Sequence, residues 1–462
     1  MLVAARASKL MRSASWEKLM SDRINTFIDS IDRRVDEIAN ACTACGACAT
    51  ACPTIAIAGI EAGSPETLTA GIRDILRGNA APDAAQDWAK ACCGSGNCLT
   101  VCEHGINPRF MLTMARRAMS QDQAVSERRA SGKAAFQKMS RGVRVLSRLS
   151  LPPELHAKLS PRSHPERDEV PDLVFYTGCN MLKTPHIGLL CLDVLEKLSV
   201  TYEVQGGPSA CCGILQTRPG DTENAGRQAF NTLDKMAASK TSQVLSWCPT
   251  CQIQFGETMI PSYREATGSA LDMTMFPVYL ASRLDELRPY MTTPVNKRVA
   301  LYEYAGELGV MESIRALLNA IPGLELVENK VSSIGYTSTA LAPLGNYHKD
   351  TMAAALAEAE ALGVDTFVGV YHADHREFSG HESAWPFTVA SYMELVGESM
   401  GLARPDRFKE LKLMQDADAI MAASMALIEA HKLDPEHVRD VVIADMLDDQ
   451  VLPIDRKLHA AE

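Results

Sequence analysis

The chain has 462 residues, a net charge of −11, and 46% hydrophobic and 22% charged residues. This composition is that of an ordinary globular protein with material for about two to four domains, and the acidic charge argues against a general nucleic-acid-binding protein. No apolar run approaches the length of a membrane span. The mildly basic N-terminus lacks the apolar segment of a signal peptide, so we expect a cytoplasmic protein.

Cysteine is the informative residue type. Of 14 cysteines, Cys191 stands alone on an apolar helical pattern, where a role in the core is the simplest interpretation. Clusters at metal-binding spacing in a long chain indicate a reducing compartment rather than a disulfide scaffold. The other thirteen form three groups: Cys42, Cys45, Cys48 and Cys52; Cys92, Cys93, Cys98 and Cys102; and Cys179, Cys211, Cys212, Cys248 and Cys251.

Residues 1–40 are predicted to form an N-terminal helical arm. Its second half carries an apolar residue every three or four positions, which is typical of one buried helix face. The apolar positions are Ile24, Phe27, Ile28, Ile31, Val35 and Ile38. This helix leads into the first cysteine group.

The first group reads "CTACGACATACP" (residues 42–53), which is the C-x₂-C-x₂-C-x₃-C-P run of two-cluster ferredoxins. The small residues between the cysteines would let the backbone approach a cluster. Zinc is the alternative, but zinc pairs usually come as two separated C-x₂-C units. We therefore predict a two-cluster ferredoxin-like domain over residues 41–125.

The second group reads "CCGSGNCLTVCEHGINP" (residues 92–108), with serine at position 95 where a cubane run would have cysteine. This frame resembles the iron–sulfur subunit of succinate dehydrogenase. The resemblance implies a [4Fe–4S] cluster on one cysteine set and a second cluster on another. The first set is Cys42, Cys45, Cys48 and Cys102; the second is Cys52, Cys92 and Cys98. Cys93 is an additional thiol that could complete a [4Fe–4S] centre, so both [3Fe–4S] and [4Fe–4S] remain open for the second cluster.

Residues 126–171 are basic, polar and then proline-rich, and they are predicted to be a linker. From residue 172 strands and helices alternate, which implies a parallel sheet. Sites in such sheets form beyond the carboxyl ends of the strands. The five cysteines of the third group follow three predicted strands within residues 172–292, so they should converge on one edge.

The strand–helix pattern recurs over residues 293–402, about 125 residues later, which indicates an internal duplication without cysteines. Where the first copy has cysteines, the second has Ala305, "VSSIG", His372 and His375. Both histidines are either polar remnants of an old site or proton donors or ligands facing the remaining one. His186, near Cys179, could face the site or cap a helix. Residues 403–462 are predicted to be a helical C-terminal extension.

Adjacent Cys211 and Cys212 in "PSACCG" either form a buried apolar pair or share a metal centre, because neighbouring Cα atoms lie about 3.80 Å apart, too close for an ordinary disulfide. The third group, with "FYTGCN" and "CPTCQIQF", resembles the B-type CCG domain of heterodisulfide reductase. The resemblance implies a noncubane [4Fe–4S] cluster on Cys179, Cys211, Cys212, Cys248 and Cys251. The whole chain resembles a fusion of the C-type ferredoxin-like and B-type CCG domains of that family. Its fold is then α plus α/β: a helical two-cluster ferredoxin-like domain and a duplicated α/β CCG domain.

The resemblance implies an oxidoreductase subunit that moves electrons between a flavoprotein partner and a thiol/disulfide-type sulfur substrate, as in sulfur-oxidising relatives. The chain lacks a dinucleotide fingerprint, so a flavin would come from the partner. The catalytic candidates are His372, His375 and His186. One alternative is a pure electron-transfer subunit of a flavin dehydrogenase, which passes electrons to quinone or another carrier. The other is a scaffold without activity. A hetero-oligomer without nucleic acid or a transmembrane segment is expected in each case.

Overall fold

The computed structural model describes residues 2–61, 63–161, 169–306 and 308–459, with side chains from residue 18 onward. The N-terminal region is helical. Several helices begin where the sequence supplies a cap: Ser64 and Asn107 accept a backbone N–H, and each precedes a proline at the first helical position. The helices are α1 (Leu2–Ala41), α2 (Ala47–Thr50), α3 (Pro53–Ile57), α4 (Pro65–Leu76), α5 (Asp83–Ala91), α6 (Asn97–Thr100), α7 (Pro108–Ser120), α8 (Val125–Ser150) and α9 (Pro153–Leu159).

Helix α1 confirms the apolar stripe predicted for it. Ile24, Phe27 and Ile31 are buried, and Phe27 meets Phe230 of the following α/β unit edge-on at 5.4 Å. Two ion pairs hold the same helix to that unit: Arg23 to Asp234 at 2.7 Å, and Arg33 to Glu265 at 2.6 Å. Helix α1 therefore packs across the first α/β unit.

The predicted linker over residues 126–171 is wrong for its first part, because residues 125–150 form the single helix α8. Val145, Leu146 and Leu149 are buried on one face of it and pack in a common core with the C-terminal helices. The basic residues that suggested a linker belong mainly to its other faces. Apolar spacing of three to four residues outweighs a polar average composition. Residues 162–168, the centre of the proline-rich part, lie outside the described residues.

The first α/β unit confirms the predicted strands and helices. Its four strands are all parallel, in the order β2-β1-β3-β4. Its elements are β1 (Leu173–Gly178), α10 (Pro185–Lys197), β2 (Tyr202–Gly206), α11 (Ile214–Thr217), α12 (Thr222–Ala238), β3 (Gln243–Ser246), α13 (Pro249–Ile253), α14 (Ile260–Thr267), β4 (Asp272–Met275), α15 (Phe276–Ser282) and α16 (Leu284–Leu287).

The second α/β unit has a parallel sheet with the corresponding order, β6-β5-β7-β8. Its elements are β5 (Arg298–Tyr302), α17 (Val310–Asn319), β6 (Glu325–Val327), α18 (Tyr347–Ala361), β7 (Thr366–Gly369), α19 (His372–Ser379), β8 (Thr388–Ser391) and α20 (Tyr392–Ser399). The sequence "VDTFVGVYHADH" (residues 364–375) predicts a single strand, but β7 ends at Gly369. Asp374 accepts the Tyr371 N–H at 2.9 Å and caps a helix that begins at His372.

Three C-terminal helices follow the second unit: α21 (Arg407–Leu413), α22 (Ala417–Ala430) and α23 (Pro435–Val442). One large core joins the two α/β units, and a second core joins the helical region to the first unit. The first unit therefore packs against both the helical region and the second unit, and residues 91–94 of the helical region also contact the second unit. The architecture is α plus α/β.

Candidate iron–sulfur sites

The first two cysteine groups form two separate sets of thiols, in the combination expected from the sequence. Cys48 is close enough to Cys42, Cys45 and Cys102 to interact electrostatically with each. Burial raises the pKa of Cys48 to about 11, and the hydroxyl of Thr69 lies 3.6 Å from its sulfur. A thiolate at this position therefore needs a positively charged partner, which the iron of a cluster supplies.

The second set consists of Cys52, Cys92 and Cys98, which line one small cavity together with Ser95 and Arg109. Burial raises the pKa of Cys98, and the charges of Cys92 and Cys52 raise it further. Trp88 donates its indole N–H to the Cys52 sulfur at 3.2 Å. Three sulfurs around an enclosed space, with an N–H directed at one of them, fit a cluster site.

Cys93 has a different environment from its neighbour Cys92. Its sulfur lies 3.3 Å from the hydroxyl of Thr54, and the side chain is 1% exposed. It packs against Gly335 of the second α/β unit, where a Cβ atom would lie 3.4 Å from the Cys93 sulfur. Cys93 thus helps to join two parts of the chain.

Two arginines of α7 hold the loop around this cavity. Arg109 donates to the Gly94 carbonyl at 3.1 Å and also pairs with Glu257 of the first α/β unit, with its Nε 3.0 Å from Oε1. Arg116 donates to the Cys92 carbonyl at 3.2 Å. Gly94 has φ +70°, and a Cβ there would lie 2.4 Å from the Tyr336 ring, so only glycine fits.

The third cysteine group lies beyond the carboxyl ends of three adjacent parallel strands, as predicted. Cys179 follows β1 directly, Cys211 and Cys212 follow β2, and Cys248 and Cys251 lie at the start of α13 after β3. The five thiols form one contact network. Cys211 interacts with Cys179 and Cys212, and Cys251 interacts with Cys212 and Cys248.

Local packing brings these sulfurs together. Gly213 has φ +83°, and a Cβ there would lie 2.6 Å from the Ala225 carbonyl, so the turn after the cysteine pair requires glycine. The buried Tyr176 hydroxyl donates to the Ala210 carbonyl at 2.7 Å and lies 3.7 Å from the Cys251 sulfur. Interaction with the Cys211 thiol lowers the pKa of Cys212 to about 6. The Cys251 thiol likewise lowers the pKa of Cys248 to about 7. Five converging thiols, two of them with a lowered pKa, fit a site for several iron ions.

Tyr336 lies between the second and third sites. Its ring covers Gly94, its hydroxyl interacts with Thr250, and it is near Cys248. Beside it is a cavity of about 230 Å³ whose cationic lining residues are Lys90, Arg116 and Arg218. Tyr336 follows directly after the "SSIG" stretch, which occupies the place where a second cysteine pair would be expected. This segment of the second unit therefore separates the second cysteine site from the third.

The three candidate histidines do not form one group. His186 and His375 are neighbours with ring centroids 5.2 Å apart. His372 lies instead near Lys183 and Arg376, and burial together with these charges lowers its pKa to about 3. All three are buried: His186 is 2% exposed, His375 0% and His372 6%.

Several residues around the sites were not predicted from the sequence: Trp88, Arg109, Glu257, Tyr336, Glu394 and Asp406. Arg109 and Glu257 are 148 positions apart. Asp406, which is 2.6 Å from His375 Nε2, belongs to the segment regarded as an extension. No local motif marks such long-range partners.

Two family models match this chain. A 4Fe-4S dicluster domain model matches residues 41–107, and a cysteine-rich domain model of the CCG type matches residues 173–256. The first range contains both early cysteine groups, and the second contains the five converging thiols.

Curated relatives come from methanogens. The B-type subunit of a fumarate reductase (CoM/CoB) from Methanothermobacter marburgensis is 29% identical over 158 residues, which are 33% of this chain and 30% of that protein. The chain therefore matches about a third of the length of this relative. The D-type subunit of dihydromethanophenazine:CoB–CoM heterodisulfide reductase from Methanosarcina mazei is 24% identical over 333 residues, 63% of this chain and 74% of the relative. The Methanosarcina barkeri protein is 23% identical over 330 residues, with the same coverage.

Among the described residues, no helix is both long and apolar enough to cross a bilayer. The residues present fit the cofactors that the matched models imply, since thiols, about half of them buried, gather in three places within the matched ranges. This chain thus contains a 4Fe-4S dicluster domain and a cysteine-rich domain of the CCG type, and over 63% of its length it is similar to the D-type subunits of heterodisulfide reductase.

Proposed function

We propose that this protein moves electrons between a flavoprotein partner and a thiol/disulfide-type sulfur substrate that reacts beside Cys179, Cys211, Cys212, Cys248 and Cys251. The observation that carries the proposal is the convergence of these five thiols at one sheet edge, next to a second cysteine site. Clusters held by these residues would supply one-electron transfer. Two electrons and two protons convert one disulfide to two thiols, and the flavoprotein is the electron source in that direction.

The cavity beside Tyr336 supports an anionic substrate. Its three cations lie between the second site and the turn that follows Cys212. Cationic walls concentrate negatively charged molecules. Small disulfides with carboxylate, sulfonate or phosphate groups are therefore the class to test first.

The experiment is anaerobic purification of the full chain with its co-purifying flavoprotein, followed by measurement of thiol release from anionic and uncharged disulfides. We expect turnover with anionic disulfides, and a several-fold higher KM in Arg218→Gln, because a cavity cation is lost. Lys133→Gln is the control, since Lys133 lines a different cavity. If both variants change KM equally, the cavity beside Tyr336 does not bind the substrate. If the protein transfers electrons but releases no thiol, its substrate is not a disulfide.

The burial of the histidines favours one alternative, a pure electron-transfer protein between a flavin dehydrogenase and quinone or another carrier. A neutral, sealed His372 is unsuited to protonating a departing thiolate at neutral pH. His375 is hydrogen-bonded to Asp406 at 2.6 Å. Rapid reoxidation of the reduced protein by a quinone analogue, with no reaction toward any disulfide, would favour this alternative.

For the second dicluster site we propose a three-cysteine [3Fe–4S] centre on Cys52, Cys92 and Cys98. Ser95 lines the cavity that these three cysteines share, whereas the Cys93 sulfur is engaged by Thr54. Cys42, Cys45, Cys48 and Cys102 would hold the [4Fe–4S] cluster.

We expect Cys98→Ala to abolish the EPR signal of an oxidised [3Fe–4S] centre, because a ligand is lost. Cys93→Ala should keep it, with a modest loss of stability from the vacated core volume. Both substitutions remove one buried thiol from the same cysteine group, so they are matched. If Cys93→Ala instead creates a [3Fe–4S] signal that the parent protein lacks, Cys93 is the fourth ligand of a [4Fe–4S] cluster.

A further inference from the structure

We propose that His186, His375, Glu394 and Asp406 form a binding site for one divalent transition-metal ion, best suited to Zn²⁺, separate from the cysteine sites. One nitrogen of each imidazole and one oxygen of each carboxylate all lie within 4.8 Å of one another. The site is built from both α/β units: His186 belongs to α10, whereas His375 and Glu394 belong to α19 and α20. Asp406 precedes the C-terminal helices. This inference does not depend on the proposed sulfur chemistry.

Unpartnered nitrogens are the first observation in its favour. His186 is 2% exposed, yet within the part of the chain that the structure describes neither of its ring nitrogens has a hydrogen-bond partner. The same holds for Nδ1 of His375, which is 0% exposed. Buried polar atoms are normally satisfied, and an orphaned imidazole nitrogen surrounded by carboxylates is most simply explained as a metal ligand.

Distances are the second observation. His186 Nδ1 lies 3.3 Å from Asp406 Oδ1, and His186 Nε2 lies 3.6 Å from Glu394 Oε2; one of these two nitrogens would bind the ion. Ligand atoms at about 2.0–2.1 Å from a tetrahedral ion are separated by about 3.3–3.4 Å. No separation in the group is wider than 4.8 Å, which exceeds this value by about 1.4–1.5 Å, so side-chain movements of that order would close the shell.

The carboxylate oxygens are held in place from outside the site. Glu394 Oε2 accepts the backbone N–H of Ser391 at 2.6 Å, and Asp406 Oδ1 accepts that of Lys409 at 3.1 Å. Outer contacts such as these two orient ligands in metal sites. Within the group, Asp406 Oδ2 forms a 2.6 Å hydrogen bond with His375 Nε2. Helix capping explains the position of both carboxylates, but it does not explain why the nitrogens of His186 face these carboxylates without an aligned hydrogen bond.

Charge also favours a cation. The Asp406 side chain is 6% exposed and that of Glu394 is 23% exposed, so two carboxylates are largely removed from water near one another. The ammonium of nearby Lys409 is bonded to Glu382 at 3.0 Å and to the Val389 carbonyl at 2.8 Å. A divalent ion would compensate both carboxylates directly. The ion would then tie the first unit, the second unit and the C-terminal helices together.

The test is zinc binding by the full, cluster-loaded chain under anaerobic conditions, with Zn²⁺ as the probe. We expect one zinc per chain, with an X-ray absorption spectrum showing only nitrogen and oxygen ligands at about 2.0–2.1 Å. His186→Ala and Glu394→Gln should each weaken zinc binding at least about tenfold, which is the lower end of the effect of outer-shell changes. Iron content reports on the cysteine sites separately.

The matched control is His348→Ala, because His348 is also a buried histidine of the second unit, 7% exposed, but lies on α18 outside the group. The His348→Ala variant should bind zinc as tightly as the parent protein. Glu394→Gln preserves size at a partly exposed position, so it decides the outcome if His186→Ala fails to fold. Zinc bound through sulfur, zinc affinity unchanged in Glu394→Gln, or no zinc bound at all would each overturn the proposal. None of these results depends on turnover with a disulfide.

Discussion

Cys212→Ala is expected to remove the third iron–sulfur centre and, with it, any reaction of a sulfur substrate. Cys212 contacts both Cys211 and Cys251, so it joins the pair after β2 to the pair after β3. Without it, the remaining thiols no longer form one network around the iron. We expect a loss of about four irons per chain and of all disulfide turnover, while the EPR signals of the two dicluster centres remain.

The matched control is Cys191→Ala. Cys191 is also fully buried, but it lies inside α10 among apolar side chains of the core. It should lose no iron, and its thermal midpoint should fall only slightly, because one small side chain is truncated. If Cys212→Ala keeps its full iron content and all of its signals, the five-thiol centre does not exist.

Arg109→Met should be the most destabilising change outside the cysteines. Arg109 is 5% exposed, and it joins the Gly94 carbonyl of the second site to Glu257 of the first α/β unit. Methionine fills much of the volume but removes the guanidinium that is hydrogen-bonded to the Glu257 carboxylate, and Arg34 is then the cation that remains near it. Breaking a buried ion pair from one side costs about 3–5 kcal/mol. We expect a marked fall in the thermal midpoint under anaerobic conditions and an altered EPR signal from the second centre.

Arg33→Met is the comparison, because Arg33 also joins the helical region to the first unit, through Glu265. The side chains of that pair are 52% and 39% exposed, and exposed pairs contribute at most about 1 kcal/mol. The double change Arg109→Met with Glu257→Met should recover part of the loss, since the Glu257 carboxylate is then no longer left without Arg109. A midpoint for Arg109→Met equal to that of Arg33→Met would contradict this account.

Local sequence pattern predicted much of the fold. Period-3.6 apolar spacing located α1, and strand–helix alternation located β1, β2 and β3 with the cysteines at their carboxyl ends. These features depend on neighbours a few residues apart, which a single sequence displays directly. The same alternation predicted the strands of the second unit, although β7 is shorter because Asp374 caps the helix that follows.

Long-range contacts account for what was missed. Composition predicts a linker where helix α8 lies, because its buried residues, such as Val145 and Leu149, are few among basic ones. The partners of these buried residues lie in helices almost 300 positions away. Tyr336 and Asp406 belong to segments without a motif. Their positions depend on how the second unit and the C-terminal helices pack against the first unit, and single-sequence patterns do not encode that packing.

The position of Tyr336 has a consequence for oxygen tolerance. Iron–sulfur clusters are damaged by small oxidants that reach the iron, and the Tyr336 ring together with Gly335 closes the approach to Cys93 and Gly94 from one side. This part of the second unit, which has no cysteine, would therefore shield a cluster held by Cys52, Cys92 and Cys98 from one side.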